Sequence, residues 1–230
     1  MFDEFVLAAS TADLSEERLA RDAADAVEFR MDLATDPVDQ LAAYDGSLPI
    51  IATNRASWEG GEAEGFGRFE ELTTAVGHDH VAAVDIELSA LRGTAPEGEQ
   101  SHATALRETA REEGVAVIAS VHDFESTPPV EAMVDLLADA ASEGDVAKLA
   151  TTAETKADAL ALLQATEEAT ADGHRVATMA MGEPGRHTRA VAPVYGSRIG
   201  YAPVDLGKST APGQYSLETL GDLVDLLSGE

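Results

Sequence analysis

The chain has 230 residues, enough for one domain with a sizeable hydrophobic core, and its 43 acidic and 15 basic residues give a formal net charge of −28. Such a charge repels phosphate, so we expect neither nucleic acid nor an anionic membrane as a partner, and a hydrophobic content of 44% argues against a disordered chain. The sequence has no cysteine, which excludes disulfides and thiolate chemistry, and no apolar stretch of about 18 residues, the minimum for a membrane-spanning helix.

Short apolar runs alternate along the chain with longer segments of helical periodicity. Eight runs rich in apolar or β-branched residues are predicted to be strands, at residues 5–9, 27–31, 49–53, 81–86, 115–120, 146–150, 175–180 and 197–201. Residues 94–101 are predicted to form a loop, and a short helix is expected after Pro184. The other predicted helices cover residues 15–26, 37–44, 67–77, 102–113, 128–141, 154–171 and 216–227.

Eight strand–helix units of about 29 residues each predict a single-domain (β/α)₈ barrel over residues 1–230. A doubly wound open sheet is the alternative, because local patterns do not show closure. The placement of ionisable residues favours the barrel, since they follow the carboxyl ends of several strands, and those ends converge on one mouth only in a barrel. These residues are Glu28, Arg30, Arg55, Asp85, Glu87, His122 and Lys148.

Lys148 lies within an apolar predicted strand, in the sequence DVAKLAT. Burial disfavours a charged amine, and an uncharged amine is a nucleophile that condenses with a ketone or aldehyde. The alternative is a structural ion pair with a carboxylate of a neighbouring strand, either Asp85 or Glu87. Lys156 and Lys208 are weaker candidates, because the first opens a predicted helix and the second lies in a loop.

His122, in SVHDF, directly follows the apolar run of the fifth predicted strand. A neutral imidazole at this position can transfer a proton, although a bond to Asp123 or to a backbone carbonyl is the alternative. Glu59, in NRASWEGG, is either the group that orients this imidazole or a solvated loop carboxylate. The glycines that follow it, Gly60 and Gly61, allow the backbone to turn sharply beneath a ligand.

Further polar side chains are candidates for the same mouth. Glu28 and Arg30 are two residues apart and therefore share one face of the second strand, as ligand-binding groups or as a plain ion pair. The sequence has no HExxH motif, and His78 and His80 have no further ligand pattern, so no metal site is predicted. Weaker candidates, each compatible with ordinary loop chemistry, are Arg189, Thr210 and Gln214.

Taken together, these segments resemble the type I 3-dehydroquinate dehydratase family. The matching motifs occur in family order over nearly the whole chain, as EFRMD at 28–32, TxRxxxEGG at 53–61, VDIEL at 84–88, SVHDF at 120–124, VAKLA at 146–150, MAMG followed by TR at 179–189 and APGQ at 211–214. The resemblance implies a (β/α)₈ barrel, commonly dimeric, that uses no metal or cofactor and dehydrates 3-dehydroquinate to 3-dehydroshikimate in the shikimate pathway of aromatic amino acid biosynthesis.

The resemblance also implies a role for each matching residue. Lys148 is expected to form a Schiff base with the substrate ketone, and His122, oriented by Glu59, is expected to transfer the proton. Thr210 stands where many members of the family have serine, which keeps the hydroxyl and adds a methyl group. Arg189 is expected to hold the substrate carboxylate, and the groups expected to hold its hydroxyls are Glu28, Arg30, Arg55 and Gln214.

Two other functions are compatible with parts of the pattern. A Schiff-base (class I) aldolase shares the strand lysine but does not need the EFRMD, SVHDF and APGQ set. A catalytically inactive barrel that only binds a ligand predicts the same mouth without a covalent adduct. Reduction with borohydride separates the second alternative from an enzyme, and the choice between dehydration and aldol cleavage separates the first.

The basic residues are skewed towards arginine, with three lysines (Lys148, Lys156 and Lys208) in a total of 15 basic residues. An acid-rich, lysine-poor surface resembles those of cytoplasmic proteins from salt-loving organisms, and the net charge exceeds the usual range for a small domain. The N-terminal sequence MFDEFVLAAS has no basic segment followed by a long apolar one. We therefore expect a halophilic protein of the cytoplasm.

Overall fold

Eight parallel strands alternate with helices in the structure, a computed structural model that describes residues 1–96, 98–205, 207 and 213–228. The strands are β1 (Val6–Thr11), β2 (Ala26–Arg30), β3 (Ile50–Thr53), β4 (Val81–Glu87), β5 (Ala116–His122), β6 (Val146–Thr152), β7 (Val176–Met181) and β8 (Ile199–Pro203). The α-helices are α1 (Glu17–Ala20), α2 (Pro37–Ala42), α3 (Gly67–Val76), α4 (Leu88–Arg92), α5 (Gln100–Glu112), α6 (Val130–Glu143), α7 (Lys156–Ala171), α8 (Thr188–Val191) and α9 (Leu217–Ser228).

The strands form a nearly closed barrel. Their order is β7-β6-β5-β4-β3-β2-β1-β8, and each neighbouring pair is parallel. The two ends of this order meet where Val176 bridges Ser197 and where the amide of Arg198 donates to the Val176 carbonyl at 2.7 Å. The predicted (β/α)₈ barrel is therefore confirmed, and the open sheet is not the architecture.

The strands carry apolar side chains on both faces, which is why they read as continuous apolar runs. Inward-facing residues such as Ile51, Ile118 and Ile199 fill the barrel interior. The outer faces pack against the helices through large side chains such as Phe29 and Leu72. Full burial of one such side chain stabilises the fold by about 1.5–3 kcal/mol.

The first predicted helix, residues 15–26, is much shorter in the structure. Its α-helical part ends at Ala20, and Ala26 already belongs to β2. A tertiary contact shortens the helix, because both the side chain and the backbone of Asp25 are hydrogen-bonded to Leu7 of β1. Its carboxylate accepts from the Leu7 amide at 2.8 Å, and its own amide donates to the Leu7 carbonyl at 2.9 Å.

Two other differences lie around β4 and α5. The sequence pattern did not predict α4, whose buried Leu88 and Leu91 continue the apolar pattern of β4 before Gly93 (φ 71°) ends the helix. Helix α5 starts at Gln100, inside the segment predicted as a loop. Most strands also run one or two residues beyond their predicted carboxyl ends, so that His122 is the last residue of β5.

Most of the acidic side chains lie at the surface, since six of the 43 are buried within the described ranges. The buried ones are Glu17, Glu28, Glu59, Asp85, Glu87 and Glu99. The described part of the chain contains no helix that is long and apolar enough to cross a membrane.

This surface predicts a strong dependence on salt. Because the screening length falls from about 30 Å at 0.01 M salt to about 3 Å at 1 M, repulsion among the carboxylates weakens as salt is added. We expect the thermal midpoint of unfolding to rise from dilute buffer into molar KCl. Sucrose at matched osmolality is the control for general exclusion effects. A thermal midpoint that is the same in dilute buffer and in molar KCl would contradict the halophilic interpretation.

Candidate active site

A cleft opens at the carboxyl ends of the strands. This is the end of a (β/α)₈ barrel where the loops that follow the strands converge. Thr210, also predicted to contact a ligand, lies outside the described residues. The cleft is lined by the other predicted site residues, Glu28, Arg30, Arg55, Glu59, His122, Lys148, Arg189 and Gln214.

The side chain of Lys148 is buried and reaches the floor of the cleft. Its amine donates a hydrogen bond to Asp85 Oδ2 at 2.8 Å and lies 3.7 Å from Glu28 Oε1. The ion pair that the sequence left as an alternative is therefore present, with Asp85 and not with Glu87. The ion pair leaves the amine in the cleft lining, so a structural ion pair and a nucleophilic role for Lys148 are compatible.

Arg55 links the Lys148 site to the loop after β3. It donates to Asp85 Oδ1 at 2.7 Å and to Ser120 Oγ at 2.8 Å, and it lies 3.0 Å from Glu87 Oε1. Although burial by itself raises the pKa of a carboxyl, the cations of Arg55 and Lys148 hold the pKa of Asp85 well below its usual range. Asp85 is therefore a fixed negative charge between two cations.

A second buried ion network lies behind Arg55. Glu87 accepts from the Ala56 amide at 3.0 Å and from Arg68 Nη1 at 2.8 Å, and Arg68 also donates to Glu99 at 2.6 Å. These charges are paired and hydrogen-bonded, as buried charges need to be. The network anchors the loop that carries both Arg55 and Glu59.

His122 and Glu59 form a buried pair, with His122 Nδ1 2.9 Å from Glu59 Oε1. Burial, together with the nearby cations of Arg55 and Lys148, lowers the pKa of His122 well below its ordinary value. Burial, against the attraction of Arg55, raises the pKa of Glu59 to about 8. Both pKa shifts favour the uncharged forms of His122 and Glu59 at neutral pH. Glu59 binds the Nδ1 side of the imidazole, so Nε2 is not bound by Glu59.

The structure does not pair His122 with Asp123, and it does not leave Glu59 as a solvated loop carboxylate. The carboxylate of Asp123 accepts from the amides of Glu125 and Ser126 and so caps the loop after β5, leaving His122 to Glu59. Glu59 is 9% exposed, so it is not a solvated loop carboxylate. Gly60, with φ 81°, lets the chain turn directly after Glu59, and a Cβ at position 60 would clash with the ring of Phe124.

Glu28 and Arg30 both line the cleft, as their two-residue spacing predicts, but they do not pair with each other at salt-bridge distance. Arg30 makes a two-point contact with Asp32, at 2.8 and 2.6 Å. Glu28 accepts from Ser10 Oγ at 2.5 Å and from Thr53 Oγ1 at 3.3 Å. The two side chains are thus fixed independently and present both signs of charge to a ligand.

Arg189 is the buried cation without a carboxylate partner in the part of the chain that the structure describes. It lies at the start of α8, is 5% exposed and lines the cleft, and its Nε has no hydrogen-bond partner there. Burial lowers its pKa to about 10, so the guanidinium stays charged at neutral pH. An unpaired buried guanidinium is suited to bind an anionic group of a ligand.

Ser10, Phe124 and Tyr201 are among the lining residues that were not predicted as site residues. Ser10 directly follows the first predicted strand, so the rule that selected the other strand-end residues applies to it as well. Phe124 lies in the SVHDF motif and stacks on His122, with ring centroids 6.1 Å apart. Tyr201 is the last residue of the eighth predicted strand, SRIGY, so the same rule applies to it, although a tyrosine at this position is equally compatible with the core.

The sequence profile of the type I 3-dehydroquinase family matches residues 6–230. The chain belongs to this family. Among curated relatives, the 3-dehydroquinate dehydratase of Haloarcula marismortui is 54% identical over 230 residues, covering 100% of this chain and 99% of that protein. The 3-dehydroquinate dehydratase of Halobacterium salinarum is 51% identical over 224 residues, covering 97% of each chain.

The fold agrees with this membership. The crystal structure of 3-dehydroquinate dehydratase from Geobacillus kaustophilus HTA426 superposes with a TM-score of 0.83 at 26% identity, covering 99% of this chain and 92% of that one. The resemblance inferred from the motifs is therefore confirmed, and both relatives come from salt-loving archaea, in agreement with the halophilic interpretation. In the described ranges, no cluster of three or more histidine, aspartate or glutamate side chains is arranged to hold a metal ion.

Proposed function

We propose that this cleft dehydrates 3-dehydroquinate through a Schiff base on Lys148. The chain is a lyase of the type I 3-dehydroquinase family, class EC 4.2.1.10, which converts 3-dehydroquinate to 3-dehydroshikimate in the shikimate pathway. The observation that carries the proposed mechanism is that the Lys148 amine and the hydrogen-bonded His122–Glu59 pair line one cleft. A nucleophile and an acid–base group in one buried site are the requirements of this elimination.

The first half of the reaction forms the iminium. Lys148 first gives its ammonium proton to water. The resulting amine adds to the C3 carbonyl of the substrate, and one of its N–H protons passes to the oxygen, which gives a neutral carbinolamine. His122 Nε2–H donates its proton to the carbinolamine hydroxyl, which leaves as water, while the proton shared with Glu59 moves to Nδ1. The new positive charge on the iminium then lies opposite a His122–Glu59 pair with one negative charge, which the low dielectric of the site stabilises.

The second half removes the C1 hydroxyl. The iminium withdraws electrons from the C2–H bond, and Nε2 of His122 takes the C2 proton to give a neutral enamine. The enamine expels the C1 hydroxyl, which receives that proton and leaves as water. A further water molecule then adds to C3, and Lys148 is released from 3-dehydroshikimate, so the net change is the loss of one water.

The other cleft residues have the chemistry to hold the substrate in place. Arg189, unpaired in the described structure, is suited to the carboxylate. Glu28, Arg30 and Arg55 offer acceptors and donors for hydroxyl groups, and each is already fixed by a protein partner. Gln214 lines the same cleft, and we keep Thr210 as a proposed contact on the motif alone.

Two measurements test this function. Incubation with 3-dehydroquinate should produce the ultraviolet absorbance of the conjugated enone of 3-dehydroshikimate. Borohydride added during turnover should reduce the iminium to a stable secondary amine that mass spectrometry detects. Aldol cleavage products without the enone would indicate the aldolase, and ligand binding with neither enone nor adduct would indicate an inactive binding barrel.

Replacement of Arg189 should weaken substrate binding. We expect Arg189→Gln to raise KM by roughly 10- to 150-fold, the loss of a hydrogen bond to a charged group, with a smaller change in kcat. Arg189→Lys keeps the charge but not the two-point geometry and should fall between the two. Steady-state kinetics with 3-dehydroquinate measure the effect, and a KM for Arg189→Gln within twofold of the original would remove this residue from the carboxylate site.

We also propose, on the family resemblance, that the chain works in the cytoplasm as a homodimer.

A further inference from the structure

The Lys148 amine has a third close neighbour besides its two carboxylates. Nζ lies over the ring of Tyr201, 4.4 Å from the ring centroid. Tyr201 lies on β8 and Lys148 on β6, so the contact crosses the barrel interior and belongs to no hydrogen-bonded strand pair. The tyrosine is 4% exposed and its ring lines the cleft.

The hydroxyl of Tyr201 does not explain why the ring lies there. Its Oη is buried and has no hydrogen-bond partner among the described residues. Burial and the charges of Glu28 and Asp85 raise the pKa of this phenol well above its ordinary value, so it stays uncharged. The feature that Tyr201 presents to Nζ is therefore the negative face of a neutral aromatic ring.

A ring face and a carboxylate act differently on a nitrogen that changes during a reaction. An ammonium carries three N–H donors, whereas an iminium carries one, so condensation removes two of the donors that Nζ can offer to Asp85, its hydrogen-bond partner. The attraction of an aromatic face depends on positive charge and does not need an N–H donor. The hydrogen bond to Asp85 depends on an N–H donor, whereas the attraction of the ring for a cation does not.

We infer that the aromatic ring of Tyr201 is the electrostatic partner of the Schiff-base nitrogen and stabilises the cationic iminium relative to the uncharged amine and carbinolamine. This inference rests on the proposed Schiff base of Lys148. A cation–π contact at a desolvated site corresponds to roughly 5- to 30-fold in an equilibrium constant. The residue acts on the reacting nitrogen through its ring and not through its hydroxyl.

The test measures how much 3-dehydroshikimate is needed for half-maximal trapping of the Lys148 adduct by a rapid borohydride quench. It is carried out over a series of rising pH values, because an amine that is protonated before it reacts already meets the ring as a cation. We expect Tyr201→Leu to raise this concentration by roughly 5- to 30-fold. Tyr201→Phe, which keeps the ring and removes an unpartnered hydroxyl, should stay within about twofold of the original.

A graded series of ring substitutions keeps the test valid even if Tyr201→Leu does not fold. Site-specific replacement of Tyr201 by phenylalanine with one, two or three ring fluorines changes the size of the ring little but progressively weakens its negative face. The half-maximal concentration should rise with each fluorine. In the Lys148→Met background, which has no amine, the same changes should leave binding of 3-dehydroshikimate unaltered.

The outcomes separate this inference from the function beneath it. If no adduct forms on Lys148 of the unmodified enzyme, the Schiff-base mechanism fails. If the adduct forms but the fluorinated series is flat, the ring does not stabilise the iminium. If Tyr201→Phe loses as much as Tyr201→Leu, the hydroxyl acts and the inference about the ring is wrong.

Discussion

Replacement of Lys148 by methionine should abolish both turnover and the borohydride-trapped adduct while leaving the protein folded. The methionine side chain has nearly the same shape but no amine, and loss of a catalytic nucleophile costs on the order of 10⁴–10⁶ in rate. Asp85 keeps its contacts with Arg55 and Ser120 in this variant, so no buried carboxylate is left unpaired. Circular dichroism and the thermal midpoint check the fold, and Lys148→Ala should show the same loss of activity.

The scarcity of lysine makes the mapping of this adduct unusually direct. The chain has four amines, namely the N-terminus, Lys148, Lys156 and Lys208. Lys156 is exposed at the start of α7, so Lys156→Met is the matched control and should keep full activity and the adduct. An adduct on any peptide other than the one containing DVAKLAT, or full activity of Lys148→Met, would overturn the mechanism.

Replacement of His122 by alanine should reduce kcat by a factor on the order of 10²–10⁴, the usual contribution of a positioned acid–base group. The Lys148 amine remains in the variant, so a covalent adduct should still form, although slowly. Because abstraction of the C2 proton is blocked, this adduct should retain the C1 hydroxyl. Its mass after reduction should therefore exceed that of the product adduct by one water.

The histidine prediction has its own control. His102 lies on α5, is exposed and stacks on Phe66 away from the cleft lining. His102→Ala should leave kcat unchanged, which separates a specific effect of His122 from the loss of any histidine. Turnover of His122→Ala close to that of the unmodified enzyme would show that another group transfers the proton.

The fold and most of the cleft residues were predictable because each produces a pattern within a short stretch of sequence. The eight predicted strands are buried on both faces, and strands buried on both faces have nearly continuous apolar sequences. The two-residue spacing of Glu28 and Arg30 likewise fixes their common face. Placement at carboxyl ends of strands selected His122 and Lys148, because parallel strands of a barrel bring those ends together.

The choice of partner for Lys148 was decided only by the barrel. Residue pairing along β4, β5 and β6 sets Lys148 level with Ser120 and Ser120 level with Glu87. The amine nevertheless binds Asp85, two residues earlier on β4. Strands in a barrel are tilted and staggered, so inward side chains that share a layer are not those at the same register. Pairing of strands alone therefore indicates the wrong carboxylate.

The remaining features depend on contacts between distant segments and have no local signature. The length of the first helix is set by the bonds of Asp25 to β1, which no helical pattern within residues 15–26 contains. Glu59 looks like a solvated loop residue until the network of Arg68 and Glu87 anchors its loop. The sequence by itself determined which chemistry the chain carries. The tertiary structure decided which charges meet, and that Tyr201 crosses the barrel to Lys148, because burial and proximity arise only when the strands close.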